Sequence, residues 1–98
     1  MADSNSTALG LLKSSLGFYG ADLDPSVESY LSELLEYAET ALRKQCGIVL
    51  DSGDVYDNQL QAMYAGWLYR KAKEGTAKPE MLKTAIRDRQ VESALSST

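Results

Sequence analysis

Residues 58–69 carry no charge, and this uncharged segment constrains the fold more than any other feature of the chain. It contains the only tryptophan and two of the six tyrosines. On a helical wheel the segment is apolar on two sides, because residues three and four positions apart share a face. One face is bulky and the opposite face is mainly small: Tyr56, Leu60, Met63, Tyr64 and Trp67 form the first, and Ala62, Ala65 and Tyr69 form the second. We therefore expect a central helix whose second layer comes either from this chain or from another copy of it.

The length and composition indicate one globular domain. The chain has 98 residues, of which 44% are hydrophobic and 24% are charged, and such a chain hides only about 60 to 68% of its unfolded surface. We assign residues 1–91 to the domain and residues 92–98 to a flexible, serine-rich C-terminal tail. The sequence has neither the pattern of a signal peptide nor an apolar run near the roughly 20 residues of a membrane span. We expect a cytosolic protein at synthesis, with no membrane partner.

The second predicted helix, over residues 25–46, has the clearest ends. Asp24 is a favourable N-cap, Pro25 suits the first position because its missing N–H costs nothing there, and Gly47 is a typical C-terminal stop. Apolar residues recur along it at helical spacing, whereas its glutamates lie on the other side. We predict an acidic face that meets a subunit or partner: Glu28, Glu33, Glu36 and Glu39.

A short first helix is predicted from Ala8 to Leu16 because leucines recur there at helical spacing. Ser6 or Thr7 would be its N-cap, and Gly17 would end it. This helix would lie at one flank of the domain.

The third predicted helix covers about residues 55–74, beginning near Asp54 or Asp57 and ending at Gly75, and a short fourth helix starts at Pro79. The pattern therefore predicts an all-α fold, a small bundle of about four helices with two longer helices (about 25–46 and 55–74) and short flanking helices. The predicted core is apolar and comes from the last three helices: Leu31, Leu34, Leu35, Leu60, Met63, Tyr64, Trp67, Leu82 and Ile86.

The net charge of −4 conceals an asymmetry along the chain. Residues 1–69 hold ten acids against three bases, whereas residues 70–89 hold seven bases against three acids. Such a chain can attract a copy of itself head to tail. We predict that the basic region contacts a subunit or partner through Arg70, Lys71, Lys83, Arg87 and Arg89. The same residues could instead contact phosphates, so a small DNA-binding regulator that uses the basic 70–89 region is the alternative.

Catalytic chemistry has little support in the sequence. Histidine is absent, which removes the commonest general base and metal ligand. Cys46 lies among cations that could activate a thiol, so a small enzyme or redox protein is a further hypothesis, but its place at a helix C-terminus disfavours a thiolate. Asp51, Asp54 and Asp57 lack the spacing of a calcium loop and are better explained as turn and capping residues. We expect no enzyme activity, no cofactor and no metal.

The segment from Asp57 to Lys71, DNQLQAMYAGWLYRK, is followed by Gly75 and then by Pro79-Glu80-Met81-Leu82 at the start of a basic helix. In this arrangement the chain resembles the head-tail connector family of tailed bacteriophages and prophages. The resemblance covers roughly residues 7–90, and its specific part is the third-helix segment with the proline that opens the fourth.

The resemblance implies a structural role in the virion. A protein of this family would be an all-helical head completion adaptor that forms a homo-oligomeric ring under the portal protein. It would join head to tail, contact a tail-side connector or stopper protein, and continue the channel through which DNA passes without sequence-specific binding. It would lie at the head–tail interface of the virion, after a stage in the host cytoplasm, and would have no catalytic activity.

Overall fold

The structure, a computed structural model, describes residues 4–18, 24–51 and 53–96. Four α-helices contain most of these residues, and no strand occurs among them: α1 spans Ser4–Ser15, α2 Pro25–Cys46, α3 Val55–Glu74 and α4 Glu80–Ser96. The predicted all-α fold of about four helices is confirmed, as are the bounds of the two longer helices.

The ends of α2 follow from local backbone chemistry. The Asp24 carboxylate accepts a hydrogen bond from the Ser26 backbone N–H at 2.9 Å, and Pro25 occupies the first turn. At the other end Gly47 adopts φ 70°, a left-handed conformation that favours glycine, and its N–H donates to the Arg43 carbonyl at 3.2 Å. All three predicted end residues of this helix are confirmed.

The ends of α3 are set in the same way. The Asp54 carboxylate accepts from the backbone N–H groups of Tyr56 at 2.8 Å and Asp57 at 3.4 Å, so Asp54 rather than Asp57 is the N-cap. Gly75 ends the helix at φ 67°. The backbone N–H of Lys83 donates to the Pro79 carbonyl at 3.1 Å, so α4 starts where the sequence predicts.

Both terminal helices are longer than predicted. Helix α1 already begins at Ser4, so Ser6 and Thr7 lie inside it and neither is its N-cap, although Gly17, at φ 87°, follows its end as expected. Helix α4 continues to Ser96, so residues 92–96 form its last turns and do not belong to a tail. No proline or glycine interrupts α4, and Arg89 Nη1 donates to Ser93 Oγ at 2.7 Å across one turn. Residues 97–98 lie outside the described residues.

Helix α3 lies at the centre, and α1, α2 and α4 all pack against it. Its buried residues share one hydrophobic core with the other helices, including Leu12 from α1, Leu42 from α2 and Leu82 from α4. Seven of the predicted core residues are buried, while Leu34 and Met63 are half-buried and pack against the core. Tyr56, in the first turn of α3, is 80% exposed and does not belong to the bulky buried face.

The small face of α3 is covered within this chain. Ala62 and Ala65 are buried, and an added Cβ at the adjacent Gly66 would lie 3.6 Å from Leu12 Cδ1 and 3.8 Å from Ser15 Oγ of α1. Small residues let two helices approach closely, so α1 uses the face that the sequence left open to another copy.

We expect Ala65→Trp to destabilise the monomer by about 3 kcal/mol or more, because Ala65 is fully buried and overpacking forces neighbouring helices apart. Gly66→Ala is the matched control. Its added methyl group meets α1 at ordinary contact distances, and replacing a mid-helix glycine should raise stability by about 0.5–1 kcal/mol. Urea unfolding followed by far-UV circular dichroism checks both, and a tryptophan variant as stable as the wild type would contradict the assignment of this face to α1.

Candidate interaction surfaces

The acidic face of α2 is largely free of internal partners. Glu33, Glu36 and Glu39 are exposed, and Tyr37 between them is 59% exposed. Glu28 differs, because its carboxylate lies 3.2 Å from Lys13 Nζ and ties α2 to α1. Three of the four predicted acidic residues therefore form one open surface, the acidic face of α2. Tyr37 lies beside Glu33 at one edge of this face, because residues four positions apart share a side of a helix and residues two positions apart do not.

The five predicted basic residues do not form one surface. Lys83 and Arg87 are exposed on α4, and Lys83 makes a 3.5 Å ion pair with Glu80 one turn earlier. Arg70 is exposed on α3 and donates to the Ser15 carbonyl of α1 at 3.4 Å. Lys71 and Arg89 contact groups of their own chain, so the structure brings together only part of the predicted basic set.

Arg89 is half-buried, and its charge is paired within its own chain. Its Nε donates to Asp57 Oδ1 at 2.7 Å, its Nη2 donates to Asp57 Oδ2 at 3.2 Å, and Asp57 is only 2% exposed. The hydrogen bond to Asp57 raises the pKa of Arg89 above its ordinary value, against the opposing effect of burial. Charge content along the chain could not reveal this pairing, since the two residues are 32 positions apart.

The Asp57–Arg89 pair also joins three parts of the fold. Asp57 Oδ2 accepts from the Asp51 backbone N–H at 2.7 Å, and Arg89 Nη2 donates to the Val49 carbonyl at 3.1 Å. These bonds connect the segment between α2 and α3 to the start of α3 and to α4. Such a pair is favourable only when its remaining hydrogen bonds are made, as they are here.

Aromatic rings engage three further cations. Lys78 Nζ lies 5.4 Å from the Tyr64 ring centroid and 5.2 Å from that of Trp67, and Lys71 Nζ lies 5.0 Å from the Trp67 centroid. Lys73 Nζ lies 4.6 Å from the Tyr69 centroid, and a hydrogen bond to Tyr69 raises the pKa of Lys73. Trp67 Nε1 donates to the Thr76 carbonyl at 3.0 Å. The Lys78 and Thr76 contacts hold the connection between α3 and α4 against the central helix, whereas the Lys71 and Lys73 contacts lie within α3.

An open groove crosses α3 between α1 and α4. Two hollows of about 260 and 300 Å³ and a smaller one of about 110 Å³ all have Met63 in their lining. We call this the α1–α4 groove. Its floor on α3 includes Gln59, Met63, Gly66 and Arg70. Its walls include Leu11 and Ser15 on α1 and, on α4, Met81, Ala85, Asp88, Arg89 and Glu92. Asp88 and Glu92 lie at its Tyr56 end, whereas Arg70 lies at the other.

The residues that the sequence offers for catalysis or metal binding, Asp51, Asp54 and Cys46, take part in hydrogen bonds within the fold. The Asp51 carboxylate accepts from the Gly53 N–H at 2.9 Å, and Asp54 caps α3, which confirms turn and capping roles. Cys46 is half-buried, and its carbonyl accepts from Gln90 Nε2 at 3.0 Å. Within residues 4–18, 24–51 and 53–96, no group of three histidine, cysteine, aspartate or glutamate side chains is placed to hold a metal ion.

Comparisons of this chain with protein-family models, with curated proteins and with solved structures each found no match. The resemblance to the head-tail connector family therefore stays a prediction. None of the helices among the described residues combines the length and the apolar character that crossing a membrane requires.

We expect Asp57→Ala to lower the free energy of unfolding by about 3 kcal/mol, because it leaves the Arg89 guanidinium without its carboxylate. Lys83→Ala removes an exposed ion pair one turn apart and should cost less than about 0.5 kcal/mol. Urea titration measures both. Equal, small losses in the two variants would mean that the internal pair does not hold α4 in place.

Tyr64 should make stability depend on alkaline pH. Burial, followed by the nearby Cys46 and Tyr37, raises the pKa of Tyr64 above 10.0. The Tyr64 hydroxyl then loses its proton at a lower pH in the unfolded chain than in the folded one. Its contribution to the free energy of unfolding is therefore fully present below pH 10 and is lost as the pH rises through the folded pKa. We expect Tyr64→Phe to weaken the fall in urea midpoint between pH 9 and pH 11; an unchanged slope would contradict this assignment.

Proposed function

We propose that this protein is a structural adaptor of a tailed phage or prophage that forms a ring under the portal, joins head to tail and continues the DNA channel. The resemblance of residues 57–71 and 75–82 to the head-tail connector family supports the proposal. An all-α bundle is the fold that this resemblance implies, and the chain has such a fold.

The observation that carries the proposal is the presence of unlike surfaces on opposite sides of α3. Gln61 donates to the Leu35 carbonyl of α2 at 2.9 Å, whereas Gln59 and Met63, two positions to either side, line the α1–α4 groove. The acidic face of α2 therefore lies across the molecule from the groove. Copies that meet through two different surfaces form rings when the rotation between them closes. One surface of each kind is what such a ring requires.

The partners follow from this role. Above the ring we propose the portal protein, below it a tail-side connector or stopper protein, and through it DNA that passes without sequence-specific contacts. The protein would act at the head–tail interface of the virion and would occupy the host cytoplasm before assembly. No step of this role requires catalysis.

The alternative, a DNA-binding regulator, draws less support from the arrangement of the cations. Arg89 is paired with Asp57, and Lys71 and Lys78 lie over aromatic rings of α3. A protein that binds DNA through many phosphates loses affinity steeply with salt. Duplex binding with such a slope, weakened by charge reversal at Arg70, Lys83 and Arg87, would favour the regulator over the adaptor.

The proposed ring should respond to the charge of α4. Lys83→Glu with Arg87→Glu changes the net charge from −4 to −8, and Lys83→Gln with Arg87→Gln changes it to −6. The acidic face of α2 attracts cations over about one Debye length. At low salt we therefore expect the wild type to form the most rings, the glutamine variant fewer and the glutamate variant the fewest, with far-UV helicity intact in all three. Native mass spectrometry and negative-stain electron microscopy count the rings. Wild-type protein that never forms rings, alone or with a portal, would contradict the adaptor role.

A further inference from the structure

We infer that the Tyr37 side of α2 from one copy docks in the α1–α4 groove of the next copy. Tyr37 would then lie over Gly66, with Glu33 beside Arg70. The inference rests on the proposed function, because it takes the ring-forming copies as partners, and it goes further by naming the two surfaces that meet and their alignment.

The groove suits a helix with one aromatic anchor. From Tyr56 to Arg70 it follows α3 for fourteen positions, or about 20 Å, which is the length of some four helical turns. Its floor is apolar at Met63 and lacks a side chain at Gly66, where the hollow of about 300 Å³ adjoins Trp67. The residues that dominate binding energy at interfaces are often tyrosines or tryptophans that fill an apolar hollow on the partner.

Helix α2 presents a matching anchor. Its buried residues Leu31, Leu35 and Leu42 face the core of their own subunit, whereas Tyr37 is 59% exposed. Tyrosine combines a large apolar ring with a polar hydroxyl group, which suits a surface that alternates between water and a partner. A second copy of this chain therefore supplies what the groove can hold.

The charges fix the direction and the alignment. Glu33 and Lys44 are exposed and eleven positions apart on α2, and Arg70 and Gln59 are eleven positions apart on α3, so both pairs span about 16 Å. An antiparallel arrangement with Glu33 at Arg70 puts Tyr37 level with Gly66, four positions further along each helix. Lys44 then reaches the groove end that is lined by Asp88 and Glu92 and by Arg89, whose charge is paired with Asp57, so the two acids leave this end negative. The parallel arrangement would bring Lys44 to Arg70 and Glu33 to the acids, which like-charge repulsion disfavours.

This contact repeats from copy to copy. The docking side of α2 and the groove lie on different sides of α3, so a subunit that offers its Tyr37 to one neighbour keeps its groove for another. Such a contact is heterologous, and it builds a closed ring or an open chain according to the rotation between neighbours.

A charge swap tests the alignment. In sedimentation velocity over a concentration series, we expect Glu33→Arg alone and Arg70→Glu alone each to weaken self-association at least about tenfold, and the double variant to restore it to near wild type. The matched control combines Arg70→Glu with Glu74→Arg; it has the same net charge as the swap and should not restore association.

Tyr37→Ala should weaken association at least about tenfold, while Tyr37→Phe should weaken it less. Far-UV circular dichroism and urea midpoints verify that each variant folds.

The outcomes separate this inference from the proposed function. Rings that form equally well in Tyr37→Ala and in both single charge variants would overturn the docking and leave the adaptor role intact. Association that depends on Tyr37 and recovers in the swap, yet yields open chains or dimers, would support the docking and count against a ring. A wild-type protein that stays monomeric at the highest concentration reached would overturn the docking. In that case assembly on a portal would decide the adaptor role by itself.

Discussion

The structure depends on the burial of two apolar faces of α3, one bulky and one small. This helix carries Trp67, Tyr64 and Leu60 on one flank and Ala62 and Ala65 on another. Exposure of these apolar flanks to water is unfavourable, so the other three helices pack against them. A chain of 98 residues has few apolar groups to spare. Because α1 covers the small side, the surfaces that we propose for assembly lie elsewhere: the acidic face of α2 and the groove between α1 and α4.

The position of α4 depends on more than apolar packing. Leu82 and Ile86 are its buried hydrophobic residues, and the rest of its attachment includes the Arg89–Asp57 pair and the Gln90 bond to the Cys46 carbonyl. The two buried residues lie in the first half of α4, and the two polar contacts lie just beyond its middle. Together they fix the orientation of α4 against α3. Since α4 is one wall of the α1–α4 groove, an internal ion pair determines the shape of a surface that we propose for assembly.

The basic region illustrates why charge counts overstate what is available to partners. Arg89 neutralises Asp57, while Lys71, Lys73 and Lys78 lie over aromatic rings. What is left for contact is Arg70 at the groove and Lys83 and Arg87 on α4. For the proposed ring this division matters, because the long-range attraction between copies and the close contact of one helix in a groove then come from different side chains.

The sequence by itself determined the presence of four helices, both ends of α2, the end of α3 at Gly75 and the central place of α3, because caps, glycine stops and apolar spacing act within a few residues. It also gave most of the core, since Leu31, Leu60 and Leu82 lie on faces that helical periodicity makes visible. Only the tertiary structure decided that α1 covers the small face, that Arg89 turns inward to Asp57, and that an open groove passes over Met63. Each of these depends on which helices become neighbours, a long-range outcome of fitting four helices around one core that spacing along the chain does not encode.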